Sequence, residues 1–163
     1  MLENAKKMDI DSLNSLLDRN IGFINNCDTK TSIGLAVNGV MMSSIIATMN
    51  DSEKIDDAGL FFIPLMMLIA GAACFVYTLW ARYEQTEEQQ TILFWDCTSI
   101  TKEEKEKLAS LDVSDLADEL RTQIVINAKL AKLKYEWYNA GLLATIVGSV
   151  STILITVGRL IGN

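Results

Sequence analysis

Three long stretches of this chain contain no charged residue and are rich in apolar side chains. They run from Thr31 to Asn50, from Ala58 to Ala81 and from Trp137 to Gly158. Each has at least the roughly 20 residues that an α-helix, rising about 1.5 Å per residue, needs to cross about 30 Å of hydrocarbon. The pattern predicts an all-α integral membrane protein with three transmembrane helices.

The three predicted spans differ in apolar content. Leu60 to Trp80 holds ten Leu, Ile, Phe or Val residues and Ala140 to Val157 holds nine, whereas Ser32 to Met49 holds only six. Because each such residue favours insertion by only about 0.3 to 0.6 kcal/mol, the first span is marginal as an isolated helix. We therefore expect it to insert with help from its neighbours.

The segments beside the spans also show helical periodicity. Apolar residues recur at helical spacing through residues 9–30, which predicts an amphipathic helix that runs directly into the first span. A short helix lying on the lipid headgroups is the alternative. A last helix is expected to begin near Asp112 or Ser114 and to continue into the third span. The second span is expected to continue as a helix from Glu84 to Gln90, because Glu and Gln favour helices.

Lys and Arg residues fall mainly on one side of the predicted membrane. Twelve of the fourteen lie in residues 1–30 and 81–138. Since basic segments stay on the cytosolic side, the N-terminus is predicted to be cytosolic. The predicted order is a cytosolic helix at 1–30, a span at 31–50, an acidic outer loop at 51–57, a span at 58–81, a cytosolic helical module at 82–138, a span at 139–158 and an outer tail at 159–163.

Composition excludes several classes of function. The chain has no histidine, which removes the commonest general base and metal ligand, and its three cysteines are scattered without zinc-site spacing. The formal net charge of −7 argues against a nucleic-acid polymer as partner. We expect no enzymatic activity, no metal, no cofactor and reduced thiols.

Polar residues just before the first span form the first candidate ligand site. Asp28 and Lys30 lie two apart, so they cannot face each other on a helix and each needs another partner. Alternatively, Asp28 forms an ion pair with Lys134 or Arg121, and the ammonium group of Lys30 reaches the headgroup region as an anchor.

Two further candidate ligand sites lie in the predicted cytosolic module. Phe94 and Trp95 could stack on a base while Asp96 accepts a hydrogen bond, or the aromatic rings could instead fill a gap between helices. The last helix carries hydrogen-bond donors that would suit an anionic ligand or, alternatively, a polar face that pairs with another helix. Three of the donors share one side of the helix, and Arg121 lies off that line. These donors are Arg121, Gln123, Asn127 and Lys134.

Small and polar residues mark the spans themselves. Thr31, Gly34 and Asn38 align along the first span, and Gly148 belongs to a row of small residues in the third. An asparagine inside a membrane usually faces protein or a watery path, so Asn38 either joins helices or lines a pore. Gly34, on the same stripe, is likewise expected in helix packing or in a pore, and the row that contains Gly148 favours close helix approach.

In order, these motifs resemble the Pycsar effector family of small bacterial membrane proteins and, more loosely, the SLATT effectors. The likeness covers nearly the whole chain. It is carried by Asp28-Thr29-Lys30 before the first span, Phe94-Trp95-Asp96 after the second, and Asp118 to Gln123 with Lys134-Tyr135 before the third.

The resemblance implies an effector of bacterial antiphage defence in the inner (plasma) membrane. Such an effector would respond to a cyclic pyrimidine mononucleotide, cyclic CMP or cyclic UMP, by impairing that membrane. Since three spans are too few to enclose a pore, we expect a homo-oligomer within the lipid bilayer. The alternatives are a non-signalling anchor or scaffold subunit and a constitutive, holin-like pore.

Overall fold

The computed structural model describes residues 9–50, 59–81 and 112–162, and within them the chain forms three α-helices. Helix α1 spans Ile10–Asn50, α2 spans Phe62–Trp80 and α3 spans Val113–Gly162. None of the described residues lies in a β-strand. Each helix contains a segment long and apolar enough to cross a membrane. The predicted all-α fold with three membrane-spanning helices is confirmed.

An aspartate side chain caps the N-terminus of each of the two long helices, α1 and α3. The Asp9 carboxylate accepts a hydrogen bond from the backbone N–H of Ser12 at 2.8 Å, and bonds from Ser12 lower the pKa of Asp9. Asp112 Oδ1 accepts from the backbone N–H groups of Ser114 and Asp115 at 2.7 and 2.9 Å. Such caps satisfy donors that have no partner within the helix. The last helix therefore begins within the interval that the sequence predicts.

Helix continuity follows the prediction for α1 and α3. The amphipathic segment and the first span form one helix of 41 residues, and the last predicted helix and the third span form one of 50. Pro64 lies in the first turn of α2, where the missing N–H removes no helical bond.

The second span is shorter than expected at its C-terminal end. α2 ends at Trp80, and Ala81 leaves the helix with a ψ of 117°. Intrinsic helix propensity is a weak influence, and it does not keep Ala81 in the helix. Residues 84–90, the acidic loop at 51–57 and most of the 82–138 module lie outside the described residues.

The chain divides into two compact units. The described part of the first unit is residues 9–25 and 112–132, and that of the second is residues 26–50, 59–81 and 133–162. Both α1 and α3 contribute to each unit.

The core of the first unit is apolar. Leu13, Ala117 and Leu120 are buried together, and neighbouring Ile and Leu side chains pack against them. Asn20 also donates from Nδ2 to the Ile124 carbonyl at 3.0 Å. The apolar stripe of the N-terminal segment thus packs on α3, as expected of a helix in a bundle.

In the second unit the buried positions alternate at intervals of three and four. In α2 and at its N-cap these are Phe61, Pro64, Leu68, Gly71, Phe75 and Thr78. In α1 the buried positions Thr31, Asn38 and Ile45 lie seven apart. This heptad spacing is that of coiled-coil seams, in which side chains of one helix fit between those of the next.

The interior of the second unit combines apolar side chains such as Phe61 and Leu68 with a few polar ones, and its exterior is apolar. Asn38 and Thr78 are fully buried, whereas Ile33 is 61 % exposed and Leu154 is 67 % exposed. In water, exposed apolar area costs about 25 cal/mol per Å², so this distribution suits lipid as the surrounding solvent. The protein is accordingly a membrane protein.

Glycines allow the three helices of this unit to touch. A Cβ at Gly71 would lie 3.1 Å from the Gly141 carbonyl oxygen, and one at Gly141 would lie 3.1 Å from the Gly71 carbonyl oxygen. A Cβ at Gly148 would lie 3.1 Å from the Pro64 carbonyl oxygen, so the close approach expected at Gly148 is present. At Gly34, the corresponding neighbour is the Phe75 ring at 2.8 Å.

The variant Gly71→Ala is expected to lower the free energy of unfolding by about 1–3 kcal/mol, because the new methyl group overpacks the contact with a backbone carbonyl. The measurement is thermal or SDS-induced unfolding of detergent-purified protein. Gly39→Ala is the matched control, since nothing lies within 4 Å of its added Cβ. Equal stability of the two variants would contradict the close packing at Gly71.

Candidate functional site

A charged pair joins α1 to α3 in the second unit. Lys134 Nζ donates to Asp28 Oδ1 at 2.7 Å, and the two side chains are 5 % and 35 % exposed, respectively. Of the two partners expected for Asp28, the structure selects Lys134. A pair this sheltered from water is costly to break, because one charge is then left without compensation.

Lys30 does not join that pair. Its side chain is exposed, and no carboxylate in the described ranges lies within ion-pair distance of it. It borders a cleft between helices in the second unit. As expected from their spacing, Asp28 and Lys30 make different contacts.

Asn38 connects all three helices of the second unit. Its Nδ2 donates to the Leu68 carbonyl oxygen of α2 at 2.9 Å and to Thr145 Oγ1 of α3 at 3.2 Å. The Thr145 hydroxyl in turn donates to the Gly141 carbonyl oxygen at 2.8 Å. This geometry is that of a helix-joining asparagine.

The other amide atom of Asn38 is less well satisfied. Its Oδ1 is buried and accepts no hydrogen bond from the part of the chain that the structure describes. The orientation of the amide is fixed, because a flipped amide would set two oxygen atoms against each other at the Leu68 carbonyl. A buried acceptor without a donor typically costs about 1–3 kcal/mol, so the contact is also a weak point in the packing.

The predicted donors in the N-terminal half of α3 separate into two groups. Gln123 and Asn127 are 2 % and 5 % exposed within the first unit, and Asn127 Nδ2 donates to the Gln123 carbonyl oxygen at 3.1 Å. Gln123 Nε2 is buried with no acceptor among the residues described. Arg121 is exposed and donates to Asp118 on its own helix at 2.6 Å. Arg121 thus lies off the shared face, as the spacing indicates.

Phe94, Trp95 and Asp96 lie outside the described residues, so the proposed stacking site stays a prediction. Sequence reasoning missed two buried polar residues in the spans, Thr78 and Thr145, of which Thr145 accepts a hydrogen bond from Asn38. Thr78 lies seven residues after Gly71 and Thr145 lies four after Gly141, so counting coiled-coil intervals of four and seven from these glycines would have identified both.

Lys134→Met is expected to lower the free energy of unfolding by about 1–3 kcal/mol, because it leaves the Asp28 carboxylate partly buried and unpaired. The double variant Asp28→Asn/Lys134→Met should recover part of that loss, and a double-mutant cycle of unfolding in detergent measures the coupling. The control is Arg121→Met, whose exposed pair should contribute at most about 1 kcal/mol. A zero coupling energy for Asp28 and Lys134 would refute the buried pair.

Comparison with known proteins identifies the family. The chain matches the Pycsar effector protein domain over residues 12–161, which is nearly its whole length and covers all of α2 and all but the outermost residues of α1 and α3. Neither a curated protein nor a solved structure matches it. The matched domain is that of an effector rather than of a catalytic family. With this match and three helices long and apolar enough to span a membrane, the chain belongs to the Pycsar effector family.

Proposed function

We propose that this antiphage membrane effector is gated by a cyclic pyrimidine mononucleotide. The ligand would bind on the cytosolic side and change the packing of the membrane helices. The altered packing would impair the plasma membrane, so that the infected cell stops growing. Family membership supports the effector role, and helix geometry supports a route from ligand to membrane.

The observation that carries the proposal is the continuity of two helices. Both α1 and α3 contribute residues to the first unit and to the second without a break in the helix. An unbroken helix keeps its backbone hydrogen bonds through the join, so a shift or rotation at one end is carried along its axis. Ligand binding in the first unit therefore has a mechanical route to the membrane.

The ligand groups that we assign to the first unit are Arg121, Gln123 and Asn127. The exposed pair of Arg121 with Asp118 is of a kind worth at most about 1 kcal/mol, so a phosphate can replace the carboxylate. Gln123 Nε2 could donate to a carbonyl oxygen of the pyrimidine. Because Gln123 is buried, the ligand must open this face of α3, and that opening is the proposed first step.

Stacking of the base on Phe94 or Trp95, with Asp96 as acceptor, remains part of the proposal.

Asp28 and Lys134 are assigned a different role. Their mutual contact at 2.7 Å supports a role in holding the resting arrangement of α1 and α3. A ligand that contacted either group directly would have to break that pair.

The resting membrane unit would be closed. Gly71 and Gly141 bring α2 and α3 into backbone contact, and Asn38 joins both helices to α1. To damage the membrane, the helices would have to separate at these contacts. The polar groups exposed by the separation would then favour the entry of water into the bilayer. Several copies of the chain would have to combine, because three spans cannot enclose a pore.

The proposed location is the bacterial inner membrane with the N-terminus in the cytosol. The distribution of Lys and Arg supports this orientation, and a cytosolic first unit could meet a soluble nucleotide.

The two alternative functions differ from this proposal in their use of the nucleotide. A scaffold subunit would bind no nucleotide. A constitutive pore would need no nucleotide to damage the membrane.

Addition of cyclic CMP or cyclic UMP is expected to release a trapped dye from liposomes containing the protein, whereas cyclic AMP is not. The fluorescence of self-quenched dye measures release. Leakage that is unchanged by every nucleotide would reject gating, and leakage at full rate without nucleotide would favour the constitutive pore.

In the same assay, Arg121→Gln should weaken the nucleotide response by about 10-fold or more, as expected when a charged hydrogen bond to phosphate is lost. Arg19→Gln, at an exposed position of α1, is the matched control. If both variants respond like the parent protein, Arg121 is not a ligand group.

A further inference from the structure

A cleft of about 270 Å³ opens between α1 and α3 in the second unit, with a side chain of α2 among its lining residues. Ile33, Val37 and Leu142 border it, and all three are exposed at the helix surface. Phe75 also lines it and is itself fully buried. The cleft therefore opens through helix faces that the apolar pattern assigns to lipid.

One end of the cleft is basic. Lys30 lines it and is the residue immediately before the uncharged stretch of the first span. The described ranges supply no carboxylate partner for its ammonium group. Tyr138, which lies at the start of the third span, lines the cleft as well. The charged end is thus at the level predicted for the membrane interface.

We infer that this cleft binds one anionic phospholipid, with an acyl chain against Val37 and Leu142 and its phosphate on Lys30. The lining is almost entirely apolar, which suits a hydrocarbon chain and offers little to a nucleotide base or a free phosphate. A single cation at the interface matches one acidic headgroup. The site is separate from the proposed nucleotide groups and does not depend on them.

The shape of the cleft depends on Gly34 and Phe75. A Cβ at residue 34 would stand 2.8 Å from Phe75 Cζ, so the ring approaches the helix because residue 34 is a glycine. Phe75 also lies 6.0 Å from the Tyr138 ring, measured between centroids. The floor of the cleft is therefore fixed by packed aromatic groups rather than by a mobile side chain.

The test is native mass spectrometry of the full chain in detergent, with phosphatidylglycerol and phosphatidylcholine of equal chain length added in competition. The parent protein should retain one phosphatidylglycerol per chain, in about fivefold preference over phosphatidylcholine, as expected for one interfacial cation. Lys30→Gln, at an exposed position, should remove the preference. Equal retention of the two lipids by the parent protein, or an unchanged preference in Lys30→Gln, would overturn the proposal.

The acyl part of the site has its own matched variants. Val37→Trp should fill the cleft and abolish retention of both lipids, whereas Val40→Trp, on the same helix and outside the cleft, should bind lipid like the parent. Retention that is unaffected by Val37→Trp would overturn the proposal. Displacement of the lipid by glycerol phosphate would also overturn the proposal. A disulfide-linked dimer of Val37→Cys that excludes lipid would do the same, because the occupant of the cleft would then be a second copy of the chain.

Discussion

The structure depends on one constraint, which is that polar groups placed between membrane helices must find partners within the protein. Lipid offers no hydrogen bonds, so a polar side chain at this depth either joins helices or destabilises them. Asn38 shows both consequences, since its Nδ2 joins α1 to α2 and α3 while its Oδ1 has no donor among the described residues. Asn38 therefore holds the three helices together, while its own buried oxygen lacks a hydrogen bond from the described residues.

The same constraint connects the membrane unit to the rest of the chain. Asp28 and Lys134 hold α1 and α3 together just before the uncharged stretches, and the glycines at 71 and 141 set how closely α2 can approach α3. If the protein is gated as proposed, its resting state needs contacts that are specific but not too strong. A small polar cluster with one unsatisfied acceptor is of that kind.

The sequence predicts much of the fold because lipid imposes simple rules. Uncharged stretches of sufficient length gave the three membrane helices, and uninterrupted periodicity gave the continuity of α1 and α3. The break in the helix at Ala81 was not predicted, because intrinsic helix propensity has only a weak influence on where a helix ends.

The candidate site was less predictable, because periodicity along one helix does not specify its partner on another. Spacing put Gln123 and Asn127 on one face and set Arg121 apart, but it left Asp28 with two possible partners. It also missed Thr145, whose role as acceptor from Asn38 follows only when three helices are brought together.

The proposed gating requires that nucleotide binding loosens the contacts around Asn38. Hydrogen–deuterium exchange of the protein in lipid nanodiscs, with and without cyclic CMP or cyclic UMP, tests it most directly. Backbone amides near Asn38 and Gly141 are expected to be protected without nucleotide and to exchange faster once cyclic CMP or cyclic UMP is bound. Identical exchange in those segments, under conditions where binding is demonstrated, would contradict it.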